Sequence, residues 1–247
     1  MALCLSAAMC ISVLGGCGSR NADTQSVGTE RVADAQDATE SRWTMDPADV
    51  FVQPVEGISD DFIRGMDASA VLSIEKSGAK YYGYDGKEQD VFKTLAESGV
   101  NYIRLRVWND PYDENGNGYG GGNNDVATAV ELGKRATEYG MKVSIDFHYS
   151  DFWADPKKQH APKSWEGMNA DEKADALYAF TRDSLKEILD AGVDVGMVQV
   201  GNEINNGMSD ETDVPSVMKL LTAGSKAVRE SAADYNKDIL VALHYTN

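Results

Sequence analysis

A glutamate and an asparagine stand side by side at the end of an apolar run, Met197-Val198-Gln199-Val200-Gly201-Asn202-Glu203, which is followed by Ile204-Asn205-Asn206. Polar residues appear only where the run stops, the pattern of a buried strand that delivers a carboxylate to its C-terminal tip. Strand alternation places Glu203 on one face with Gly201, Gln199 and Met197. A carboxyl at such a mouth, partly buried and oriented by neighbouring amides, suits general acid/base chemistry. A structural ion pair at a strand end is the plainer use of a single Asn-Glu pair, so the reading depends on what surrounds it.

Two further strands carry polar side chains in alternation. In Asn101–Trp108, Ile103, Leu105 and Val107 face one way and Tyr102, Arg104, Arg106 and Trp108 the other. In Met141–Tyr149, Val143, Ile145 and Phe147 oppose Ser144, Asp146 and His148. A long loop follows, Ser150 to Trp165, with Trp153 and Trp165 in it, and long ordered loops are commonly functional.

The elements that must position these residues alternate. Strands are expected at Phe62–Asp67, Asn101–Trp108, Met141–Tyr149, from Met197 to Glu203, and at Ile239–Tyr245. Helices are expected at about 86–98, 124–139, 170–191 and 214–234, the first three closed by Gly99, Gly140 and Gly192. Leu177, Phe180, Leu185, Ile188 and Leu189 form a core-facing stripe. Strand tips then recur at Asp67, Trp108, Tyr149, Glu203 and Tyr245, each one helix apart. The fold class is α/β, a (β/α)8 barrel rather than an open dinucleotide-binding sheet, since no G-x-G-x-x-G follows the first strand. Five strands cannot close an eight-stranded barrel, so the chain is expected to stop inside the domain at about the fifth strand.

The three cysteines, Cys4, Cys10 and Cys17, all precede residue 18, which excludes a disulfide framework or thiolate metal site in the barrel. The apolar segment 1–17 ends in Leu14-Gly15-Gly16-Cys17 and resembles a lipoprotein signal with Cys17 lipidated. It lacks a basic n-region, and an ordinary signal peptide is the alternative. Residues 18–45 are polar and read as a disordered linker, leaving 46–247 as barrel. The chain is thus expected to be exported, lipid-anchored or secreted, touching a membrane only through that anchor. A formal net charge of −17 argues against nucleic acid and anionic surfaces and suits a neutral substrate.

Four stretches in register carry a resemblance: Gly65-Met66-Asp67-Ala68-Ser69, the run Arg104 to Pro111, the run Asp146 to Pro156, and Val200 to Gly207. Together they resemble glycoside hydrolase family 53, the arabinogalactan endo-β-1,4-galactanases of the clan of retaining barrel glycosidases. The resemblance implies a (β/α)8 fold, endo-acting hydrolysis of galactan or arabinogalactan, and two catalytic glutamates. It makes Glu203 the acid/base and Asn202 the contact to the sugar 2-hydroxyl. Arg104 becomes the arginine that steadies the nucleophile, with Arg106 the second choice. His148 is implied as a sugar contact, or else as a buried histidine bonded near Asp146. Trp153 is expected to stack on sugar, with Trp165 a further candidate, while Asp67 and His244 stand at tips that fit the pattern; His160 is a weaker candidate. The nucleophile of the resembled family lies on a seventh strand, so no residue here takes that role and the chain alone is expected to be inactive. A mannan- or glucan-cleaving clan relative and a non-catalytic oligosaccharide-binding lipoprotein are the competing readings.

No cofactor is expected. The three histidines lack metalloprotease spacing, and Asp113-x-Asn115-x-Asn117-Gly118 opens like a calcium loop but has Asn124 at its twelfth position, so a turn is expected there. Calcium in the resembled family belongs to later loops. The protein is expected to be a monomer.

Overall fold

The computed structural model describes residues 55–246, within a compact unit spanning Gln53–Asn247. The signal segment, Cys17 and the linker lie outside the described residues. Ten elements follow in order: β1 (Gly65–Asp67), α1 (Val71–Lys76), α2 (Val91–Glu97), β2 (Tyr102–Val107), α3 (Val126–Glu138), β3 (Lys142–Phe147), α4 (Ala170–Asp190), β4 (Val195–Val200), α5 (Val214–Asp234) and β5 (Leu240–Ala242). The five strands form one parallel sheet in the order β1-β2-β3-β4-β5. Strand order never reverses, so there is no switch point of the kind that open doubly wound sheets use for ligands. The architecture is that of consecutive β/α units of a (β/α)8 barrel, whose chemistry sits at the C-terminal strand ends.

Sequence dictates the layers. Ile103, Leu105, Val107, Val143, Ile145, Phe147, Val198 and Val200 are buried against Leu132 and Ala136 of α3, Leu177, Leu185 and Ile188 of α4, and Leu220 and Val228 of α5. The opposite strand face carries Arg104, Arg106, Ser144, Asp146 and Gln199. Helix starts are fixed by side-chain caps: Asp90 accepts from the Phe92 amide, Asp125 from Thr128, Asp213 from Ser216, and Asn169 forms a capping box with Glu172. At the other end of α3, Gly140 adopts φ +76°, the left-handed turn that ends the helix.

One irregularity matters for the site. Val143 pairs with Val195, yet Ser144 pairs with Met197, a register shift of one residue at Gly196. Without it, alternation would set Val198 opposite Asp146 on the inner face. With it, Gln199 stands beside Asp146, and Arg106, Asp146 and Gln199 form one row across three strands.

Several boundaries differ from expectation. β1 occupies only Gly65–Asp67 of the expected Phe62–Asp67, and β5 only Leu240–Ala242 of Ile239–Tyr245. α1 falls where a loop was read, because its Ala70 N-cap offers no side-chain signal. The helix expected from 86 begins at Val91, since Tyr82 and Glu88 pair across a tight turn in which the Asp85 carboxylate accepts from the Lys87 amide. Trp108, Tyr149 and Glu203 all lie past the strand ends. The Asp113 segment is a turn: its carboxylate accepts from the Asn115 and Asn117 amides at 2.9 and 2.8 Å, and Tyr112 bridges to Gly118. Among the described residues, no helix is long and apolar enough to cross a membrane.

Candidate active site

At the C-terminal mouth, four strands contribute to one hydrogen-bonded network. Arg104 Nη1 donates to Asp67 Oδ2 at 2.7 Å, and Nη2 donates to Asp146 Oδ2 at 2.5 Å and to Asn202 Oδ1 at 2.9 Å. The guanidinium therefore ties β1, β3 and the turn after β4 together from β2. Asp146 is fully buried and accepts from Arg104, from His148 Nε2 at 3.0 Å, and from Gln199 Nε2. Two arginines and two aspartates balance here, since Arg106 Nη2 lies 3.7 Å from Asp67 Oδ1.

Burial raises the pKa of Asp67, but the Arg106 guanidinium, the Ser69 amide and hydroxyl, and Arg104 outweigh it and hold the carboxyl below the usual carboxylate range. Burial lowers the pKa of Arg106, opposed by Asp67 and Asp146. Arg106 is only 7% exposed, and its Nε has no partner among the described residues. Its guanidinium lies 4.2 Å from the ring centroid of Trp153, so stacking on the indole takes the place of hydrogen bonds. Trp153 itself is 41% exposed, which leaves aromatic surface open at the mouth. Of the two arginines, Arg104 is the one that reaches Asn202.

His148 faces inward. Its Nδ1 receives the Trp108 indole N–H at 3.2 Å and the Ala154 amide at 3.1 Å. Two donors aimed at Nδ1 leave the ring proton on Nε2, where it is donated to Asp146. With both nitrogens engaged and the residue 1% exposed, His148 offers nothing to a sugar in this structure. The structure places His148 as the buried alternative, a strut between Asp146 and the loop that carries Trp153. Trp165 also lies inside: it is 5% exposed and stacks against Tyr149 at 6.5 Å, in the core. His160 is exposed, 3.4 Å from Asp210 and outside the network.

The turn after β4 departs from strand geometry. Gly201 takes φ +84° and Glu203 φ 50°, ψ 48°, the left-handed region that side chains with a Cβ rarely adopt. Alternation therefore ends at Val200, and the face shared by Glu203 and Gln199 in the sequence reading is replaced by a turn. Asn202 is 4% exposed, and its Oδ1 accepts from Arg104, from Gln199 at 3.2 Å and from His244 Nδ1 at 2.7 Å. Its Nδ2 donates to the Ala154 carbonyl at 2.8 Å. The segment after Glu203 is clasped to the chain beyond β5, Ile204 N donating to His244 O at 3.0 Å. Glu203 is half-buried as a residue, and among the described residues its carboxylate receives no hydrogen bond or ion pair. It is the acidic group beside the network that the arginines do not neutralise.

The structure thus gathers Asp67, Arg104, Arg106, Asn202, Glu203, Trp153 and His244 at one mouth. Asp146, Gln199 and Gln159 belong with them and were not picked out. Asp146 had a signal in the sequence, two residues before His148 on the same strand face. Gln199 had one as well, its place on the strand face read for Glu203; Gln159 had none.

The family model for glycosyl hydrolase family 53 matches residues 63–247. The chain is 56% identical over 199 residues to a Bacillus subtilis protein named endo-β-1,4-galactanase, covering 81% of this chain and 46% of that one. It is 34% identical over 184 residues to the arabinogalactan endo-β-1,4-galactanase of Humicola insolens, covering 73% and 53%. Among solved structures, the GH53 catalytic domain of Ignisphaera aggregans superposes with a TM-score of 0.72 at 43% identity, covering 79% of this chain and 54% of that chain. The chain spans about half the length of the curated relatives it matches. By motif, fold and similarity alike, it belongs to glycosyl hydrolase family 53.

Proposed function

We propose that this chain supplies the acid/base side of an endo-acting, retaining β-1,4-galactanase working on galactan and arabinogalactan. The supporting observation is the carboxyl of the half-buried Glu203, with no described partner, set at the mouth beside an Asn202 amide fixed at both ends. The two relatives quoted above are named endo-β-1,4-galactanase and arabinogalactan endo-β-1,4-galactanase.

In this mechanism Glu203 protonates the departing glycosidic oxygen while a second carboxylate, about 5 to 5.5 Å away, attacks the anomeric carbon. Glu203 then removes a proton from the water that releases the glycosyl-enzyme. Asn202 and Arg104 fix the floor of the site, and Trp153 offers aromatic surface to a pyranose face. The attacking carboxylate is assigned to a seventh strand by family resemblance. The reaction uses no cofactor, the protein acts as a monomer, and it is exported, either held at the surface through Cys17 or secreted.

The test is a panel of β-1,4-galactan, mannan and cellulose with the full-length gene product. Release of oligosaccharides from galactan in preference to the others is expected. Preference for mannan or cellulose, or binding without cleavage, would overturn the reading.

A further inference from the structure

The loop after β3 reaches back to the backbone that carries Glu203. Gln159 Nε2 lies 2.8 Å from the Asn202 carbonyl oxygen, 3.2 Å from that of Glu203 and 3.1 Å from that of Asp155. Asp155 O has another donor, the Lys158 amide at 2.9 Å, whereas no backbone amide among the described residues donates to Asn202 O. The amide cannot be turned, because its oxygen would then face three carbonyls. Gln159 Oε1 is buried without a partner. The side chain is held for its N–H groups alone, with its own acceptor left unsatisfied.

The main chain of Gln159 grips the same segment further on. Its carbonyl accepts from the Asp210 amide at 2.5 Å, and the Ala161 amide donates to the Asp210 carboxylate at 2.9 Å. Between these two grips the backbone carries Glu203 in the left-handed region and Gly207 at φ 141°. A left-handed glutamate persists only where its surroundings hold it, and a return to ordinary φ would redirect its side chain.

We propose that Gln159 is a positioning residue for Glu203. Its amide ties down the Asn202 and Glu203 carbonyls and so fixes the turn that aims the acid. The catalytic consequence rests on the function proposed above, while the effect on the backbone stands without it.

Gln159→Leu removes the donors that reach the Asn202 and Glu203 carbonyls. In the 247-residue chain, hydrogen exchange of the Ile204 amide, which donates to His244 O at 3.0 Å, should quicken by at least about tenfold, with β2 and β3 amides unchanged. Unchanged exchange at Ile204 overturns the proposal whatever the enzyme does. In the full-length product, kcat on galactan should fall by roughly ten- to a hundredfold with KM within about twofold. A dinitrophenyl galactobioside, whose leaving group departs without protonation, should lose no more than about threefold in kcat/KM. Equal losses on both substrates would overturn the positioning role. Gln159→Glu should regain galactan activity as pH falls and its protonated carboxyl donates again, and a loss that does not recover counts against the proposal. If the wild-type protein leaves galactan uncut, the proposed function fails and the exchange result alone decides.

Discussion

Asp146→Asn is the sharpest perturbation of the network, because shape is kept and one charge is removed. Asp146 Oδ2 receives Arg104 Nη2 at 2.5 Å and His148 Nε2 at 3.0 Å, and the asparagine oxygen can keep both. The new Nδ2 then takes the place of Oδ1 and points at Gln199 Nε2, donor against donor. Turning the Gln199 amide removes that conflict but forfeits its bonds to Gly201 O at 2.9 Å and to Asn202 Oδ1 at 3.2 Å. Loss of charge assistance to Arg104 costs about 1 kcal/mol, and an unsatisfied buried donor a further 1 to 3 kcal/mol or so, about 3 kcal/mol in all. With a urea dependence of about 2 kcal/mol/M, the unfolding midpoint should fall by roughly 1.5 M at unchanged slope. Urea titration followed by far-UV circular dichroism reads this directly. Glu88→Gln, which breaks the exposed Lys80–Glu88 pair, is the control and should stay within about 0.5 kcal/mol. A midpoint for Asp146→Asn equal to that of the control would refute the reading of Asp146 as the hub of the mouth.

Trp153→Ala and Trp165→Ala should separate cleanly. The first should weaken galactan affinity by roughly tenfold in affinity electrophoresis of the full-length product, at a smaller stability cost than the second, because Trp153 is 41% exposed although it covers the Arg106 guanidinium. The second should cost about 3 to 5 kcal/mol in urea unfolding, because it fills the core against Tyr149. Tyr112 donates to Asp125 Oδ2 at 2.7 Å, and that hydrogen bond, first among the causes, pushes its phenol up to about 12. An acid whose folded pKa is raised stabilises the fold below its unfolded value near 10 and loses that contribution as pH climbs towards 12. The stability gap between wild type and Tyr112→Phe in urea titrations should therefore shrink across pH 10 to 12, and a constant gap would contradict the assignment.

The elements were largely legible because local rules set them. Alternation in Tyr102–Val107 and Lys142–Phe147 and the closing glycines Gly99, Gly140 and Gly192 act over a few residues, and the structure keeps them. What could not be read is tertiary. The bulge at Gly196 decides that Gln199 rather than Val198 meets Asp146. The left-handed turns at Gly201 and Glu203 break an alternation that the sequence continues. His148 and Trp165 carry chemistry suited to sugars, yet the Trp108 indole and the Tyr149 ring claim them for the interior. Gln159 lies 43 residues from Asn202, in a loop whose composition says nothing of the carbonyls it meets.

The reaction itself turns on Glu203. In the full-length product, Glu203→Ala should lower kcat on galactan by about a hundred- to ten-thousandfold, and added azide should restore turnover of a dinitrophenyl substrate by trapping the glycosyl-enzyme as a β-galactosyl azide. Galactan hydrolysis undiminished by the substitution would contradict the assignment of Glu203 as the acid.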